Sequence, residues 1–92
     1  MKVIYKYELD FLNKQTIDIP SNEILSVELQ NRSIVVYALV DTDIEPIKYE
    51  FQIKGTGNKI TFEVALFKFL GTVQIQENNL MFHIFYRKVV GK

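Results

Sequence analysis

Strict alternation of apolar and polar side chains is the feature that most limits the fold of this chain. The clearest case is residues 47–54, where apolar side chains at odd positions alternate with polar ones at even positions. The odd positions are Ile47, Tyr49, Phe51 and Ile53, and the even positions are Lys48, Glu50, Gln52 and Lys54. Side chains two residues apart share one face of a β-strand, so the pattern predicts a strand with one buried face. We expect the even face to be an ordinary solvated sheet surface.

Similar patterns recur along the whole chain. They predict further strands over residues 3–9, 16–19, 23–30, 33–40, 69–76 and 79–88. Asn31-Arg32 predicts a tight hairpin, because Asn tolerates positive φ, and Glu77-Asn78 predicts the turn of the last hairpin. The sequence therefore predicts a single all-β domain over residues 1–92, with about seven short antiparallel strands in a sandwich or partly open barrel.

Two segments are more apolar than half-buried strands. Residues 33–40 are apolar on both faces, which predicts a strand that is central and covered on both sides or covered by a partner chain. In residues 60–69, the spacing fits either an extended segment or a short helix near residues 61–69. Because no clear helix N-cap is present, we favour the extended structure.

Composition excludes several function classes. The chain has no cysteine and one histidine, which excludes thiolate metal sites and disulfides and makes a zinc site improbable. Asp41 and Asp43 have the spacing that begins a calcium loop, but the glycine and glutamate that complete such a loop are missing. We therefore expect no metal and no cofactor.

Charge and hydropathy limit the partners and the location. Eleven basic residues balance eleven acidic ones, whereas a protein that binds duplex nucleic acid normally has a basic excess. No apolar run approaches the roughly 20 residues that span a bilayer, and the N-terminal residues lack the apolar segment of a signal peptide. We expect no duplex nucleic acid partner, no membrane association and a location in the cytoplasm.

Catalytic patterns are missing as well. There is no cysteine nucleophile and no G-x-S-x-G motif, and His83 lies in the middle of a predicted strand among apolar residues. A packed structural role is the ordinary interpretation of such a histidine. We therefore expect that the protein is not an enzyme.

One stretch is a candidate ligand site. Gly55-Thr56-Gly57 follows a predicted strand, and consecutive backbone N–H groups in such a turn can bind an anion. It matches neither a Walker loop nor a dinucleotide fingerprint, and the simpler interpretation is a turn that requires positive φ. The flanking lysines and hydroxyl groups suit a phosphate-bearing ligand. The candidate ligand-binding residues are Lys54, Gly55, Thr56, Gly57, Lys59, Thr72, His83 and Arg87.

Several short motifs follow one another along the chain: Gln15-Thr16-Ile17, Ile24-Leu25-Ser26-Val27 with Gln30, Tyr37-Ala38-Leu39-Val40-Asp41, Gly55-Thr56-Gly57, Leu70-Gly71-Thr72-Val73-Gln74 and Phe82-His83-Ile84-Phe85. In this order they resemble the motifs of a family of small proteins found mostly in phages and prophages. The resemblance covers nearly the whole chain, although residues 58–69 are more apolar than expected. That family is known only as a domain of unknown function, so the resemblance implies a phage setting but no activity.

Two hypotheses follow from that setting. The first is a non-catalytic phage accessory protein that counters host defence, either by sequestering a small nucleotide-like signal or by binding a defence protein. The second is a virion, assembly or protein-interaction module whose subunit interfaces are residues 34–40 and 60–70. Both hypotheses predict a homo-oligomer, because a small domain gains stability when association buries its apolar faces.

Overall fold

Seven strands divide between two antiparallel sheets in this protein, for which a computed structural model describes residues 1–75 and 79–89. The strands are β1 (Lys2–Leu9), β2 (Lys14–Ile19), β3 (Ser21–Gln30), β4 (Ser33–Asp41), β5 (Ile47–Gly55), β6 (Lys68–Ile75) and β7 (Leu80–Lys88), and a 3-10 helix spans Val64–Leu66. One sheet has the order β1-β4-β3 and the other the order β2-β5-β7-β6. The predicted all-β fold is confirmed as a two-sheet sandwich.

Most predicted strands match the observed ones to within two residues. The predicted Asn31-Arg32 hairpin is confirmed, since both residues have positive φ, 50° and 68°. β6 and β7 form the last predicted hairpin, with Ile75 opposite Leu80. The predicted turn residues Glu77 and Asn78 lie outside the described residues.

The strand predicted to be central is β4. It lies between β1 and β3, and its inward side chains belong to the core between the two sheets. On the outer face, Val35 is also buried, and the Lys6 Nζ donates a 2.6 Å hydrogen bond to Gln30 Oε1 from the strand on one side of β4 to the strand on the other. Side chains of the same chain therefore contribute to covering both faces of β4.

Residues 60–69 do not form the extended strand that we favoured. They contain the 3-10 helix Val64–Leu66, which agrees better with the alternative of a short helix. The ring of Phe62 lies 4.6 Å from that of Phe67 and 5.3 Å from that of Phe85 on β7, measured between centroids. The side chains of Phe62 and Phe67 thus pack onto the outer face of the four-stranded sheet. We call residues 56–67 the covering loop.

Gly71 on β6 lies in close contact with β3 of the other sheet. A register shift lies between Phe69 and Gly71 on β6, and a Cβ atom at Gly71 would lie 2.8 Å from Cγ1 of Val27 on β3. Val27 is β-branched and packs against the core, so its side chain has little freedom to move away. The approach of β6 to β3 therefore requires glycine at this position.

Gly71→Ala should lower the free energy of unfolding by about 1–3 kcal/mol, because overpacking at a fixed site forces neighbours apart. Urea denaturation checks this value. Gln74→Ala on the same strand is the control, since Gln74 is exposed and its loss should change stability by less than about 0.5 kcal/mol. Equal effects of the two substitutions would contradict the tight approach.

The Tyr49 side chain links the two sheets through a buried hydrogen bond. Its hydroxyl donates to the Ser21 carbonyl oxygen at 2.7 Å, and its ring belongs to the core. Burial raises the pKa of Tyr49, and the neighbouring Tyr86 adds to the rise. Above the ordinary tyrosine pKa of about 10, the unfolded chain therefore loses this proton before the folded chain does.

Tyr49→Phe should cost about 1 kcal/mol at pH 8, because the Ser21 carbonyl oxygen loses its donor. The pKa of Tyr49 is higher in the folded chain than in the unfolded chain. The stability that this difference contributes is fully present below the pKa of the unfolded state and falls as the pH rises above that value. The wild-type protein should thus lose more stability than Tyr49→Phe between pH 8 and a pH just above 10. Urea denaturation at both pH values measures the difference. A constant difference would refute the role assigned to the Tyr49 proton.

Candidate functional site

A row of polar side chains on the outer face of β5 is buried, contrary to the sequence prediction. Glu50, Gln52 and Lys54 are 5%, 5% and 4% exposed, although alternation predicted a solvated surface. The covering loop lies over this face, with Lys54 Nζ 5.8 Å from the centroid of the Phe62 ring. Burying charged groups without partners is costly, so each of these side chains needs a partner.

Glu50 is the centre of that pairing. Arg87 on β7, its register partner, donates from Nε to Glu50 Oε1 at 2.8 Å, and Arg87 Nη2 lies 2.8 Å from the same oxygen. The other carboxylate oxygen, Oε2, accepts a 2.7 Å hydrogen bond from Gln52 Nε2 and lies 3.8 Å from Lys14 Nζ. The carboxylate is therefore held in one position by side chains from three neighbouring strands.

Lys54 is paired at the other end of the row. Its ammonium donates to Asn13 Oδ1 at 2.7 Å. Among the described residues, no buried side-chain nitrogen or oxygen lacks a hydrogen-bond partner. Lys54 was predicted to face a ligand from beside the glycine turn, but the structure uses it under the covering loop.

A cavity of about 370 Å³ lies between the covering loop and this polar row, and we call it the loop pocket. Its wall combines polar groups of the sheet with aromatic rings of the loop. The lining residues are Asn13, Lys14, Glu50, Gln52, Thr61, Phe62, Glu63, Leu66, Phe67 and Arg87. The Arg87 guanidinium carbon lies 5.3 Å from the centroid of the Phe67 ring, which fixes the guanidinium at the boundary between the two kinds of wall.

The glycine turn itself closes on its own chain. The backbone N–H of Gly55 donates to Asn58 Oδ1 at 2.9 Å, and that of Thr56 donates to the Met81 carbonyl oxygen at 3.2 Å. The N–H of Asn58 donates to the Gly55 carbonyl oxygen at 3.1 Å, and Gly57 has a φ of 90°. The three N–H groups of Gly55, Thr56 and Asn58 are thus used within the fold. The turn needs positive φ at Gly57, as the simpler interpretation required.

Side chains beside the glycine turn form a separate cluster. His83 Nε2 lies 2.8 Å from Thr56 Oγ1, and His83 Nδ1 lies 2.9 Å from Thr72 Oγ1. His83 and Thr72 are register partners on β7 and β6, whereas Thr56 follows β5 directly. Sequence reasoning named all three residues, and the structure brings them together.

This hydroxyl-imidazole-hydroxyl arrangement does not resemble a nucleophile with an activated base. In a triad, the second ring nitrogen of histidine is held by a group that stabilises the imidazolium, usually a carboxylate. Here Thr72 supplies a neutral hydroxyl. Within residues 1–75 and 79–89, no group of three or more histidine, aspartate or glutamate side chains is placed to hold a metal ion.

Three of the predicted site residues meet in space, whereas Arg87 and Lys59 lie apart from them. Thr56, Thr72 and His83 meet at the glycine turn, while Arg87 lies on the same strand face four residues from His83, roughly 13 Å away along the strand. Lys59 is exposed in the covering loop.

Sequence reasoning missed the polar residues that line the loop pocket, above all Glu50 and Gln52. Their alternation with apolar residues was visible, but it carries no sign that the polar face would be covered. The sequence signal for this burial was the apolar run of residues 60–69, because apolar side chains outside a strand must pack against another surface of the protein.

Fold and site together define a small all-β sandwich with a polar, loop-covered cavity on one sheet. The chain belongs to the family described as a domain of unknown function (DUF7352), whose family model matches residues 1–91. No curated protein and no solved structure matches the chain. None of the helical segments in the described part of the chain has the length and apolar character needed to cross a membrane.

Glu50→Gln should lower the free energy of unfolding by about 2 kcal/mol, because it leaves the partly buried Arg87 cation without its countercharge. Asp18→Asn is the matched control, since Asp18 pairs with Lys48 on the same sheet but both side chains are exposed. Such a pair contributes at most about 1 kcal/mol. Urea denaturation compares the two. Equal losses would show that the Glu50–Arg87 pair is no more important than a surface pair.

Proposed function

We propose that the protein is a non-catalytic binding module that holds a small, nucleotide-like anion in the loop pocket. The observation that carries this proposal is the pocket's combination of a hydrogen-bonding floor with aromatic walls. Small-molecule sites typically occupy about 300–1,000 Å³ and pair apolar surface with a few fixed polar groups. A cavity of about 370 Å³ suits a ligand of mononucleotide size.

The floor of the pocket favours a planar, hydrogen-bonding group. Gln52 uses one of its two N–H donors on Glu50, and a side-chain amide has a second N–H donor and a carbonyl oxygen. The rings of Phe62 and Phe67 offer faces on which a heterocycle can stack. The lining carries two cations, Lys14 and Arg87, and two carboxylates, Glu50 and Glu63. This balance favours a neutral heterocycle inside the loop pocket, with the anionic substituent of the ligand outside it.

The biological role that we propose for this binding is that of a phage accessory protein that counters host defence in the host cytoplasm. Sequestration of a nucleotide signal requires tight binding without turnover. In agreement with this, His83 does not line the loop pocket, and its ring nitrogens contact the hydroxyl groups of Thr56 and Thr72. The phage setting rests on the sequence resemblance alone.

A second candidate function is a protein-interaction or assembly module, and the exposed apolar side chains of the covering loop favour it. Ile60, Val64, Leu66 and the adjacent Phe69 are all exposed. A cluster of this kind is typical of a surface that binds another protein or a second copy of the chain. A defence protein or a virion component are both candidates for that partner.

Isothermal titration calorimetry with the four ribonucleoside 5′-monophosphates, their nucleosides and cyclic dinucleotides should detect binding of at least one of them. Gln52→Met, which keeps the side-chain volume but removes the amide, should weaken it about tenfold or more. Lys48→Gln is the control, because Lys48 is exposed and belongs to neither the loop pocket nor the glycine turn. Chromatography of the recovered ligand should show it unchanged.

Two outcomes would contradict the proposal. If no compound in the panel binds, the nucleotide ligand is wrong and the interaction module takes its place. If backbone amide shifts in an NMR titration change around Thr56, Thr72 and His83 but not around residues 61–67, the ligand site is the glycine turn instead. Light scattering tests the separate expectation of a homo-oligomer.

A further inference from the structure

A second cavity, of about 310 Å³, adjoins the loop pocket at Leu66 and Arg87. It opens on the far side of these two residues, along the ends of β6 and β7. Its lining residues are Asn22, Tyr49, Leu66, Lys68, Tyr86, Arg87 and Lys88. We call it the cationic pocket, because three of these seven side chains are positively charged and none is acidic.

The charge of the cationic pocket contrasts with that of the whole chain, whose formal net charge is zero. Lys88 donates to Asn22 Oδ1 at 2.9 Å, which holds its ammonium at the rim. Within the described residues, the side chain of Lys68 has neither a hydrogen bond nor an ion pair. Because Arg87 is paired with Glu50, Lys68 and Lys88 are the cations that favour a ligand group with negative charge.

Arg87 lines both cavities, but its side chain belongs to the outer face of the four-stranded sheet, where Nε and Nη2 bond to Glu50. Lys88 lies opposite Tyr49, and Lys68 lies opposite Tyr86. Both lysines therefore belong to the other face of the sheet, which is that of the core residue Tyr49. These two lysines supply the positive charge of the cationic pocket.

We propose that the cationic pocket is a phosphate subsite, and that the ligand is a nucleotide whose base occupies the loop pocket and whose phosphate contacts Lys68 and Lys88. The inference rests on the proposed function, which it extends from a nucleotide-like anion to a phosphorylated nucleoside in a defined orientation. The shared Arg87 lies where the two parts of such a ligand meet.

The test compares each ribonucleoside 5′-monophosphate with its own nucleoside by calorimetry on the wild-type chain and on Lys68→Gln/Lys88→Gln. The wild-type protein should bind the monophosphate at least about tenfold more tightly than the nucleoside, because charge-assisted hydrogen bonds to the phosphate are among the strongest polar contacts. The double variant should lose most of that preference and leave nucleoside affinity within about twofold.

Lys2→Gln/Lys48→Gln is the matched control, because it removes the same charge at exposed lysines that line neither cavity. A monophosphate preference that falls equally in both double variants would reflect the overall charge and would overturn the subsite. Both substituted pairs lie on exposed side chains, so urea denaturation should show folded proteins of similar stability.

The outcomes separate the two proposals. Equal affinity for nucleoside and monophosphate, unchanged in Lys68→Gln/Lys88→Gln, overturns the phosphate subsite and leaves the loop pocket as the binding site. Failure of every nucleoside and nucleotide to bind overturns both. Competition of the bound monophosphate by inorganic phosphate, lost in the double variant, would support the subsite independently of the base.

Discussion

The burial of Glu50 under the covering loop is the constraint on which the site depends. A carboxylate removed from water is stable only when its charge and lone pairs are matched, and Arg87 and Gln52 provide this match from β7 and β5. Because Glu50 needs this countercharge, β5 and β7 pair with Glu50 opposite Arg87, and the Arg87 side chain points towards the carboxylate. The polar floor of the loop pocket is therefore a consequence of how the charge is stabilised.

The covering loop in turn is attached by contacts at both of its ends. At its start, Asn58 closes the glycine turn on the backbone of Gly55. Towards its end, the ring of Phe62 packs against Phe67 and, on the sheet, against Phe85. Aromatic contacts of this kind add about 0.5–1.5 kcal/mol each beyond burial. The loop thus reduces the exposure of Glu50, Gln52 and Lys54 to solvent, which strengthens the electrostatic pairing among them and their partners.

The sequence allowed the strands to be predicted because alternation is a local signal that each strand carries by itself. The hairpin at Asn31 was predicted because Asn tolerates positive φ. β4 was predicted to be central or covered by a partner chain because it is apolar on both faces. The burial of Glu50, Gln52 and Lys54 was not, because it depends on a loop that follows β5 and folds back across it. Residues 60–69 were predicted to be extended because no clear helix N-cap is present, whereas the 3-10 helix Val64–Leu66 forms without a side-chain cap. Of the candidate site, the side chains of Thr56, Thr72 and His83 were predicted together, and the pocket around Glu50 was missed.

Leu66 connects the two candidate functions. It is 63% exposed at the 3-10 helix, yet it lines both the loop pocket and the cationic pocket. A protein partner that bound the apolar surface of the covering loop would bury Leu66, and a ligand that spanned the two cavities would contact the same side chain. Binding of one would therefore change the affinity for the other, since two ligands that share a residue are coupled reciprocally. In a module of this design, binding of a small molecule would change the affinity of the covering loop for a protein partner without any enzymatic step.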